Sequence, residues 1–488
     1  MSNRPVARLP RGLRDTFAGN VVARQRMIDT IRGVYERYGF APLETPAFEY
    51  VDALGKYLPD GDIPAGGIFA FRDEDSSWVA LRYDLTAPLS RIFSEHRNDL
   101  PIPFRRYQVG LVWRNERPGP GRFREFYQFD IDTVGSASMA ADAEVCCVLA
   151  DALEALQISR GDYVIRVNNR KALNGVVEVA GLPSDEETSL KVLRAIDKLD
   201  RLGLEGVRQL LGGGRTDESG DFTEGAHLTE SQAQRIIDLL SVKADSRIKV
   251  CDRFEEIVRG SAVGQEGVVE LREIDRFLTA AGYAEDRVVF DPTVVRGLAY
   301  YTGPVFEAAL TFEVADEAGE KRQFGSVAGG GRYDYLVERF IGEKVPATGA
   351  SIGVDRLLSA LEALGKVDTQ DSSAPVVVTV MDKDRALDYQ KITFALRGAG
   401  IAAEMYLGDG NFRDQLRYAD ARGAVVAVIA GSREFEAGQV SLKDLRLGRE
   451  LSKQFTERQA WLKEQPAQVT VPVENILSEV RAILARYQ

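Results

Sequence analysis

The segment RRYQVGLVWRNERPGPGRFREFYQFDID, residues 105–132, alternates apolar and charged side chains in two runs around a Pro- and Gly-rich stretch. Successive side chains of a β-strand point to opposite faces, so this alternation predicts two strands of an antiparallel hairpin joined by the loop NERPGPG. The predicted apolar face consists of Tyr107, Val109, Leu111, Trp113, Tyr127, Phe129 and Ile131. The predicted charged face consists of Arg106, Gln108, Arg114, Arg124, Gln128, Asp130 and Asp132.

The charged face admits two interpretations. For an arbitrary hairpin, the solvated outer side of an antiparallel sheet is the more common one. Against it, surface strands do not usually alternate arginine with Gln and Asp beneath a loop that carries still more arginine. A site for a triphosphate and an amino acid needs both signs of charge close together. The pattern therefore favours a ligand-binding face.

The rest of the chain divides into segments of different character. Its 488 residues exceed what one hydrophobic core supports, and length alone predicts roughly two to four domains. Residues 21–38 carry apolar side chains at helical spacing, and a polar, helix-rich region, 173–285, separates the first strands from a strand-rich block at 287–353. A linker at 365–374 precedes residues 375–488, which alternate strands and helices as in a compact α/β domain with a parallel or mixed sheet.

Composition and charge exclude several classes of protein. The chain is 44% hydrophobic and 28% charged, as in ordinary globular proteins, and its net charge of −12 argues against a general polyanion binder. If RNA is a partner, local arginines must recognise it. The sequence shows no apolar leader and no run of about 18 apolar residues, so we expect a cytoplasmic protein without a membrane span. Three cysteines and two histidines lack disulfide or zinc spacing, so we expect no dedicated metal site.

Two further regions bring glycine next to polar side chains. In VVRGLAYYTGPVFEAAL, residues 294–310, a glycine beside Arg296 permits close backbone approach, and Tyr300 and Tyr301 offer ring faces and hydroxyls to a small polar ligand. In AGGGRYDYL and PATGASIGVDRLL, glycines lie where a strand approaches another group, and Arg356 enters the first turn of a helix. Each region also has an interpretation without a ligand: the tyrosines pack in a core, and the glycines permit tight helix–sheet contact.

Taken together, these segments resemble the three ordered motifs of class II aminoacyl-tRNA synthetases, and RGLAYY is similar to the corresponding segment of the histidyl-tRNA synthetase family. The likeness covers nearly the whole chain, in the order PRGLRD, PLETPAFEY, RYDLTAP, WRNERPG with RFREFYQFDID, RGLAYYTG, GGGRYD and GASIGVDR. It implies an α+β fold with an antiparallel sheet flanked by helices, an inserted helical domain and a C-terminal α/β anticodon-binding domain. The implied boundaries are 1–172 and 286–364 for catalysis, 173–285 for the insertion, 365–374 for the linker and 375–488 for the anticodon domain. PLETPAFEY implies a homodimer.

The reaction implied by the resemblance is activation of L-histidine with ATP, followed by transfer of histidine to the 3′-terminal adenosine of tRNA(His). Mg²⁺ is expected to accompany the nucleotide, because bound phosphates commonly share their charge with this cation. Arg114 would hold the α-phosphate of ATP, Glu116 the adenine amino group and Arg356 the distal phosphates. Arg122 would also contact the nucleotide, and Arg114 and Arg296 would act in catalysis.

The residues that the resemblance implies for histidine binding are Asp84, Leu85, Thr86, Gln128, Asp132, Arg296, Tyr300 and Tyr301. The ammonium group and its neighbouring atoms would meet Asp84, Thr86 and Gln128. The imidazole would lie among Asp132 and the two tyrosines. Arg296 would stabilise the charge that accumulates as the histidine carboxylate attacks the α-phosphorus.

Two alternatives keep the fold but not the reaction. One is the regulatory subunit of ATP phosphoribosyltransferase, a catalytically silent relative that binds histidine. Such subunits generally lack the anticodon domain and lose the motif arginines, whereas Arg114, Arg296 and Arg356 are all present here. The other is an RNA-binding protein that uses the synthetase fold without chemistry. The chain also departs from many relatives at Ala299, where they carry an acidic residue.

Overall fold

The computed structural model describes residues 5–54, 67–116, 123–182, 186–217, 220–295, 297, 301–315, 321–367, 376–452 and 467–487. The chain forms two compact units. The first consists of Met1–Asp15 and Arg24–Val367, and the second of Thr16–Ala23 and Asp368–Gln488.

The described residues form both strands and helices in each unit. The strands are β1 (Ala41–Pro42), β2 (Phe48–Tyr50), β3 (Ala70–Arg72), β4 (Trp78–Leu81), β5 (Phe104–Trp113), β6 (Glu125–Val134), β7 (Tyr163–Asn169), β8 (Gly214–Thr216), β9 (Phe222–Glu224), β10 (Val288–Phe290), β11 (Pro304–Ala315), β12 (Lys321–Arg332), β13 (Ala347–Gly353), β14 (Val376–Val378), β15 (Ala403–Met405), β16 (Val426–Ile429), β17 (Gln439–Asp444) and β18 (Gln468–Pro472). The helices are α1 (Ala18–Arg37), α2 (Val51–Leu54), α3 (Thr86–His96), α4 (Met139–Ala155), α5 (Arg170–Val179), α6 (Glu186–Ile196), α7 (Leu199–Leu211), α8 (Glu230–Leu240), α9 (Arg247–Ile257), α10 (Ala262–Ala280), α11 (Glu338–Ile341), α12 (Val354–Ala363), α13 (Ala386–Gly398), α14 (Phe412–Ala421), α15 (Ser432–Glu436), α16 (Leu445–Ser452) and α17 (Ile476–Leu484).

The first unit is built on a sheet of eight described strands in the order β1-β5-β6-β13-β12-β11-β7-β10. The neighbours from β5 through β7 pair antiparallel, whereas β1 with β5 and β10 with β7 pair parallel at the two edges. Strands distant in the chain thus become neighbours, because β6 pairs with β13 rather than with the next strand in sequence. The predicted hairpin of β5 and β6 is confirmed, and the α+β fold is the one expected.

One face of this sheet is apolar and packs against helices. A single cross-strand row contains Val109, Phe129, Ile352, Ala328, Ala308 and Ile165. Helices α4 and α10 pack against this sheet, and the ring of Tyr35 in α1 meets Phe129 edge-on at 4.7 Å between ring centroids. Burial of apolar surface on this face leaves the polar side chains of the alternating pattern on the opposite face.

Like the two runs of the hairpin, the run WVALRYD, residues 78–84, predicts a strand of the same antiparallel sheet, and this prediction is wrong in the pairing of the strand. WVALRYD contributes β4 to a separate three-stranded sheet in the order β2-β4-β3, not to the main sheet. Helix α3 lies between β4 and β5 in sequence, and it starts at Thr86 of the RYDLTAP segment. Period-two alternation shows which side chains share a face, but it does not show which strands pair.

The helix-rich segment between β7 and β10 contains α5 to α10 and a small hairpin of β8 and β9. Helices α5 and α10 touch at glycine: a Cβ added to Gly175 would lie 2.3 Å from the Cα of Gly264. The first unit therefore includes this segment, and its last helix packs against α4 as well.

The second unit contains a mixed sheet of five described strands in the order β15-β14-β16-β17-β18. Strand β14 pairs parallel with β15 and β16, and the other neighbours pair antiparallel. Its core includes Tyr389, Ile392 and Leu396 of α13 with Val480 of α17. The predicted α/β architecture with a mixed sheet is thus confirmed for this unit. None of the described helices combines the length and apolar character that a bilayer crossing requires.

Candidate active site

The polar face of the main sheet carries two rows of directly opposed residues. One row contains Arg106, Asp132, Gly349, Gly331, Val305 and Asn168, and the next contains Gln108, Asp130, Ser351, Gly329, Glu307 and Arg166. Residues opposite each other in an antiparallel pair lie on the same face. The rows therefore place the charged hairpin face beside the glycines of β12 and β13.

Arg106 and Asp132 form a buried ion pair at the centre of this face. Arg106 Nη2 lies 2.7 Å from Asp132 Oδ2 and also donates to the carbonyl oxygen of Leu85 at 2.9 Å. The hydroxyl of Tyr333, 201 residues further along the chain, donates to Asp132 Oδ1. Arg106 is 0% exposed and Asp132 2% exposed, so the interpretation as a solvated sheet surface is wrong.

Asp130 and two glutamines form the neighbouring part of the site. Gln128 Nε2 donates to Ser351 Oγ at 2.6 Å, and the Ser351 hydroxyl hydrogen bonds to Asp130. Gln108 Nε2 donates to Thr45 Oγ1 at 3.0 Å. Within the described part of the chain, three buried acceptors on these side chains have no hydrogen-bond donor: Gln108 Oε1, Gln128 Oε1 and Asp130 Oδ1. Such acceptors are costly unless a ligand or water donates to them.

The acidic residues of the site share one electrostatic environment. Burial raises the pKa of both Asp130 and Asp132 above the ordinary carboxyl value, while the nearby Arg106 guanidinium lowers both. Burial also raises the pKa of Asp84, and the backbone N–H of Ala87 and the charge of Arg114 oppose that rise. The site thus combines carboxylates and guanidiniums in a poorly hydrated environment, where charged hydrogen bonds are strong.

The RYDLTAP segment reaches the site through the start of α3. Asp84 Oδ1 accepts from the backbone N–H of Ala87 at 2.9 Å, and Thr86 is the first residue of the helix. Leu85 is buried, and its carbonyl accepts from Arg106. Leu85 is therefore linked to the sheet face, and Asp84 and Thr86 are its neighbours in the chain.

Arg114 follows the last residue of β5, and Arg356 lies in the first turn of α12. Arg114 Nε donates to the carbonyl of Tyr83 at 3.2 Å, and its guanidinium lies 5.3 Å from the Phe126 ring centroid. Arg356 Nη2 donates to the carbonyl of Phe324 at 2.8 Å, and its side chain is exposed. Glu116 is also exposed. The predicted position of Arg356 in the first turn of a helix is confirmed.

Some predicted site residues lie outside the residues that the structure describes. These are Arg122, Arg296 and Tyr300. Tyr301 is described, and its ring packs against two glycines, since a Cβ added to Gly297 would meet it at 2.4 Å and one added to Gly331 at 2.8 Å. The predicted close approaches at glycine are thus present around Tyr301.

Tyr333, Ser351 and Thr45 contact the site although the motifs did not single them out. Tyr333 lies in GGGRYD and Ser351 in GASIGVDR, and each follows the glycines that permit close approach. Their partners come from strands far away in sequence, and that pairing cannot be deduced from either segment alone.

A cavity of about 250 Å³ opens near the other end of the polar face. Its lining includes Arg166 and Glu307, the cross-strand neighbours in the row that contains Asp130, together with Thr293, Asp197 and Gly297. The cavity therefore borders the segment that follows β10 and leads to RGLAYY. Among the described residues, no group of three or more His, Cys, Asp or Glu side chains could hold a metal ion.

Substituting alanine for Gly349 is expected to lower the free energy of unfolding by about 1–3 kcal/mol, because overpacking forces neighbouring atoms apart. A Cβ at this position would lie 2.2 Å from Asp132 Oδ1 and 2.4 Å from the carbonyl oxygen of Ile131. Urea unfolding followed by tryptophan fluorescence measures the change. Gly33→Ala in α1 is the matched control, because nothing lies within 4 Å of its added Cβ, and it is expected to stabilise by roughly 0.5–1 kcal/mol. Equal effects of the two substitutions would contradict the packing argument.

Comparison with solved structures gives the class of protein that this fold and site define. A histidyl-tRNA synthetase from Nostoc sp. PCC 7120 superposes with a TM-score of 0.74 at 31% identity, over 98% of this chain and 100% of that chain. A protein from Bacillus halodurans C described as an ATP phosphoribosyltransferase regulatory subunit/histidyl-tRNA synthetase shares the fold with a TM-score of 0.67 at 21% identity, over 88% of this chain and 100% of that chain. The buried charged sheet face and the separate α/β unit are those of a class II aminoacyl-tRNA synthetase.

Sequence comparisons narrow the class to a family. Residues 12–357 match the family model of histidyl-tRNA synthetase, and residues 375–483 match that of the anticodon binding domain. A histidine–tRNA ligase of Cereibacter sphaeroides is 57% identical, over 99% of each chain. Another, of Rhizobium meliloti, is 56% identical over 98% of this chain and 96% of that protein. The chain belongs to the histidyl-tRNA synthetase family.

Proposed function

We propose that this protein is a histidine–tRNA ligase that first forms histidyl-adenylate and pyrophosphate from L-histidine and ATP. It then transfers histidine to the 3′-terminal adenosine of tRNA(His). The observation that carries the proposal is full-length identity of 57% to a histidine–tRNA ligase, in a chain whose charged sheet face is buried rather than solvated. A buried face with both signs of charge is suited to a zwitterionic amino acid beside a phosphate ester.

The nucleotide end of the site is assigned to Arg114, Glu116, Arg122 and Arg356. Arg114 adjoins Tyr83 and Phe126, next to the segment that carries Asp84, so its guanidinium is suited to the α-phosphate. Arg356 is exposed at the start of α12, which suits contact with the distal phosphates. Mg²⁺ enters with ATP as part of the substrate, because it binds phosphate oxygens and usually keeps several waters.

The histidine end of the site is assigned to Asp84, Leu85, Thr86, Gln128, Asp132, Arg296, Tyr300 and Tyr301. Among these, Asp84 and Gln128 offer carboxylate and amide oxygens to the ammonium group, and Gln128 Oε1 has no donor among the described residues. Tyr301 borders the same face through Gly331, which stands in the row of Asp132. Arg296 and Arg114 are the proposed catalytic residues.

The proposal is tested by amino-acid-dependent exchange of pyrophosphate into ATP with the purified full-length protein. Exchange with histidine is expected to exceed that with amino acids lacking the imidazole by about 10⁴-fold, because buried hydrogen-bonding groups reject analogues that leave them unpaired. Exchange with a different amino acid, or none at all, would refute the proposal.

The regulatory-subunit alternative is weakened by the second unit. The similarity to the Bacillus halodurans C protein is at 21% identity and concerns the fold alone. The anticodon-binding match at 375–483 supports a tRNA substrate.

We assign 375–488 to anticodon binding after a linker at 365–374, and 1–172 with 286–364 to catalysis. We assign the intervening 173–285 to an insertion, and we place the protein in the cytoplasm, where charged tRNA supplies translation.

A homodimer is proposed from an exposed aromatic face on the small sheet of β2, β4 and β3. Phe48 is 52%, Tyr50 55% and Phe71 47% exposed, and the rings of Phe48 and Phe71 lie 5.5 Å apart. Their cross-strand partners Val79 and Leu81 lie on the same face. Contiguous exposed apolar surface of this kind is typical of an interface.

Combining Phe48→Glu with Phe71→Glu is expected to convert the dimer to a monomer, because two charges would be desolvated at each copy of the interface. Sedimentation velocity at micromolar concentration measures the change. Phe222→Glu is the control, since Phe222 in β9 is 63% exposed outside this face. A dimer that persists in the double variant would contradict the assignment of this surface.

A further inference from the structure

We propose that Asn168 and Arg170, two buried residues where β7 ends and α5 begins, are positioning residues that fix the segment 291–303 for catalysis. This segment carries Arg296, the proposed catalytic arginine. The inference rests on the proposed function and adds to it two side chains that act through the backbone of another segment. None of the sequence motifs contained either residue.

Asn168 anchors the first part of the segment. The residue is 2% exposed, and its Nδ2 donates to the carbonyl oxygens of Pro292 and Val294, each at 3.0 Å. Its Oδ1 accepts from the backbone N–H of Asn169 at 2.8 Å, which fixes the orientation of the amide. Asn168 pairs with β11 in the first of the two rows on the polar sheet face, so this anchor belongs to the same face as the candidate active site.

Arg170 anchors the second part of the segment. Its Nη2 donates to the carbonyl oxygen of Gly297 at 3.0 Å, and its backbone N–H donates to that of Gly303 at 2.8 Å. Burial lowers the pKa of Arg170 to about 10, and the nearby hydroxyl of Tyr301 opposes this shift, so the guanidinium keeps its charge at neutral pH. A charged donor forms a stronger hydrogen bond with a carbonyl oxygen than a neutral donor does.

The two anchors lie on either side of Arg296 in the chain. Asn168 holds the carbonyl of Val294, and Arg170 holds that of Gly297. Three residues span at most about 11 Å even when fully extended, so two fixed carbonyls over this interval limit where the chain between them can run. A catalytic arginine needs such a limit, because a displacement of about 1 Å can cost about 100-fold in rate.

The anchoring residues are themselves held by two helices. Asn169, which stands between them, caps the N-terminus of α5: its Oδ1 accepts from the N–H of Lys171 at 2.9 Å, and its Nδ2 donates to Glu270 of α10 at 2.7 Å. Helices α5 and α10 are in close contact, since a Cβ on Gly267 would lie 2.5 Å from the backbone nitrogen of Ala172. The two anchoring side chains therefore start from regular elements rather than from a loop, which favours precise positioning.

The test is a double-mutant cycle in histidine-dependent pyrophosphate exchange by the purified full-length protein. In the wild-type background, Arg170→Ala is expected to lower kcat about 100-fold and to leave the KM for ATP within about twofold, because the proposed nucleotide contacts Arg114 and Arg356 lie on other segments. In the Arg296→Ala background, the same substitution is expected to lower kcat by less than about threefold, because the arginine that it positions is absent. Partial unfolding would instead lower exchange by the same factor in both backgrounds.

Three further variants separate positioning from stability. Asn168→Ala is expected to show the same pattern as Arg170→Ala, with a loss of about 10- to 100-fold that disappears in the Arg296→Ala background. Arg170→Lys is expected to retain about tenfold more activity than Arg170→Ala, because its ammonium can donate to the same carbonyl but lacks the planar fork. Arg287→Ala is the matched control, since Arg287 is 8% exposed and its Nη2 donates to the carbonyl of Gly282 at 2.7 Å. It is expected to lower the thermal unfolding midpoint and to leave the kcat of the folded protein within about twofold.

Normal kcat in Arg170→Ala and Asn168→Ala, or losses that persist undiminished in the Arg296→Ala background, would overturn the inference. Loss of folding in both variants would assign the pair a purely structural role and would also contradict it. An Arg296→Ala variant with normal exchange would leave no residue to be positioned, and the inference would be wrong together with the catalytic assignment. Wild-type protein without histidine-dependent exchange would refute the proposed function instead.

Discussion

Arg296→Ala is expected to lower histidine-dependent pyrophosphate exchange by about 10³- to 10⁵-fold, the range found for arginines that stabilise phosphoryl-transfer transition states. The reason is electrostatic: attack of the histidine carboxylate on the α-phosphorus accumulates negative charge, and a fixed guanidinium stabilises it without reorganisation. Its neighbour Gly297 has a φ of +57° and accepts from Arg170 Nη2 at 3.0 Å. Steady-state exchange rates at saturating ATP and histidine measure the effect.

Arg253→Ala is the matched control for this experiment. Arg253 is 67% exposed, and its partner Glu256 lies 3.4 Å away on the same helix. Its removal is expected to leave exchange within twofold of wild type. If Arg296→Ala retained more than a tenth of wild-type activity, the catalytic assignment of Arg296 would be wrong, whatever the effect on histidine binding.

Arg106→Met is expected to lower the free energy of unfolding of the first unit by about 3–5 kcal/mol, because it leaves the buried Asp132 without its counter-charge. The substitution also removes the donor to the Leu85 carbonyl. Chemical denaturation, followed by fluorescence or circular dichroism, measures the loss. Adding Asp132→Asn to this variant is expected to recover much of it, since the uncompensated charge is then absent.

The loss of stability in Arg106→Met is also expected to depend on pH. Burial raises the pKa of Asp132 and Arg106 lowers it, so removal of Arg106 moves the folded-state pKa further above the unfolded-state value. The folded state then binds more protons than the unfolded state between these two values, and stability falls as pH rises through that window. The deficit is therefore expected to shrink as the solution is acidified.

The control for Arg106→Met is Arg272→Met. Arg272 pairs with Asp252 and Glu255, whose side chains are 57% and 60% exposed, and loss of such surface pairs costs at most about 1 kcal/mol. A similar loss of stability in both variants, or a pH-independent loss in Arg106→Met, would contradict the buried-pair argument.

The sequence predicted the two faces of the hairpin, but it predicted less of the rest of the site. Alternation placed Arg106, Gln108, Gln128, Asp130 and Asp132 on one face, and the pairing of β5 with β6 confirms this division. It did not show that this face is buried. The face is covered by two segments: the carbonyl of Leu85, just before α3, accepts from Arg106, and the hydroxyl of Thr45 accepts from Gln108. Neither segment has a periodic pattern from which this contact could be predicted.

The partners of Asp130 and Asp132 also could not be predicted from the hairpin alone. Motif resemblance named Asp132 for the imidazole, because it assigns roles by position in a motif and not by contacts. The contacts depend on Tyr333, which follows β12 and donates to Asp132, and on Ser351 of β13, which hydrogen bonds to Asp130. The pairing of distant strands is set by packing and register, so the local sequence of β6 does not determine it.

By itself, the sequence determined the periodicities: the two faces of the hairpin, the helix at 21–38, and the alternating elements of the second unit. These follow from covalent geometry, because a strand repeats every two residues and a helix every 3.6. Only the tertiary structure decided which partners these carboxylates have: Asp132 pairs with Arg106 and accepts from Tyr333, and Asp130 hydrogen bonds to Ser351. The contacts of this face join residues up to 223 positions apart, which meet only when the apolar face of the sheet is buried.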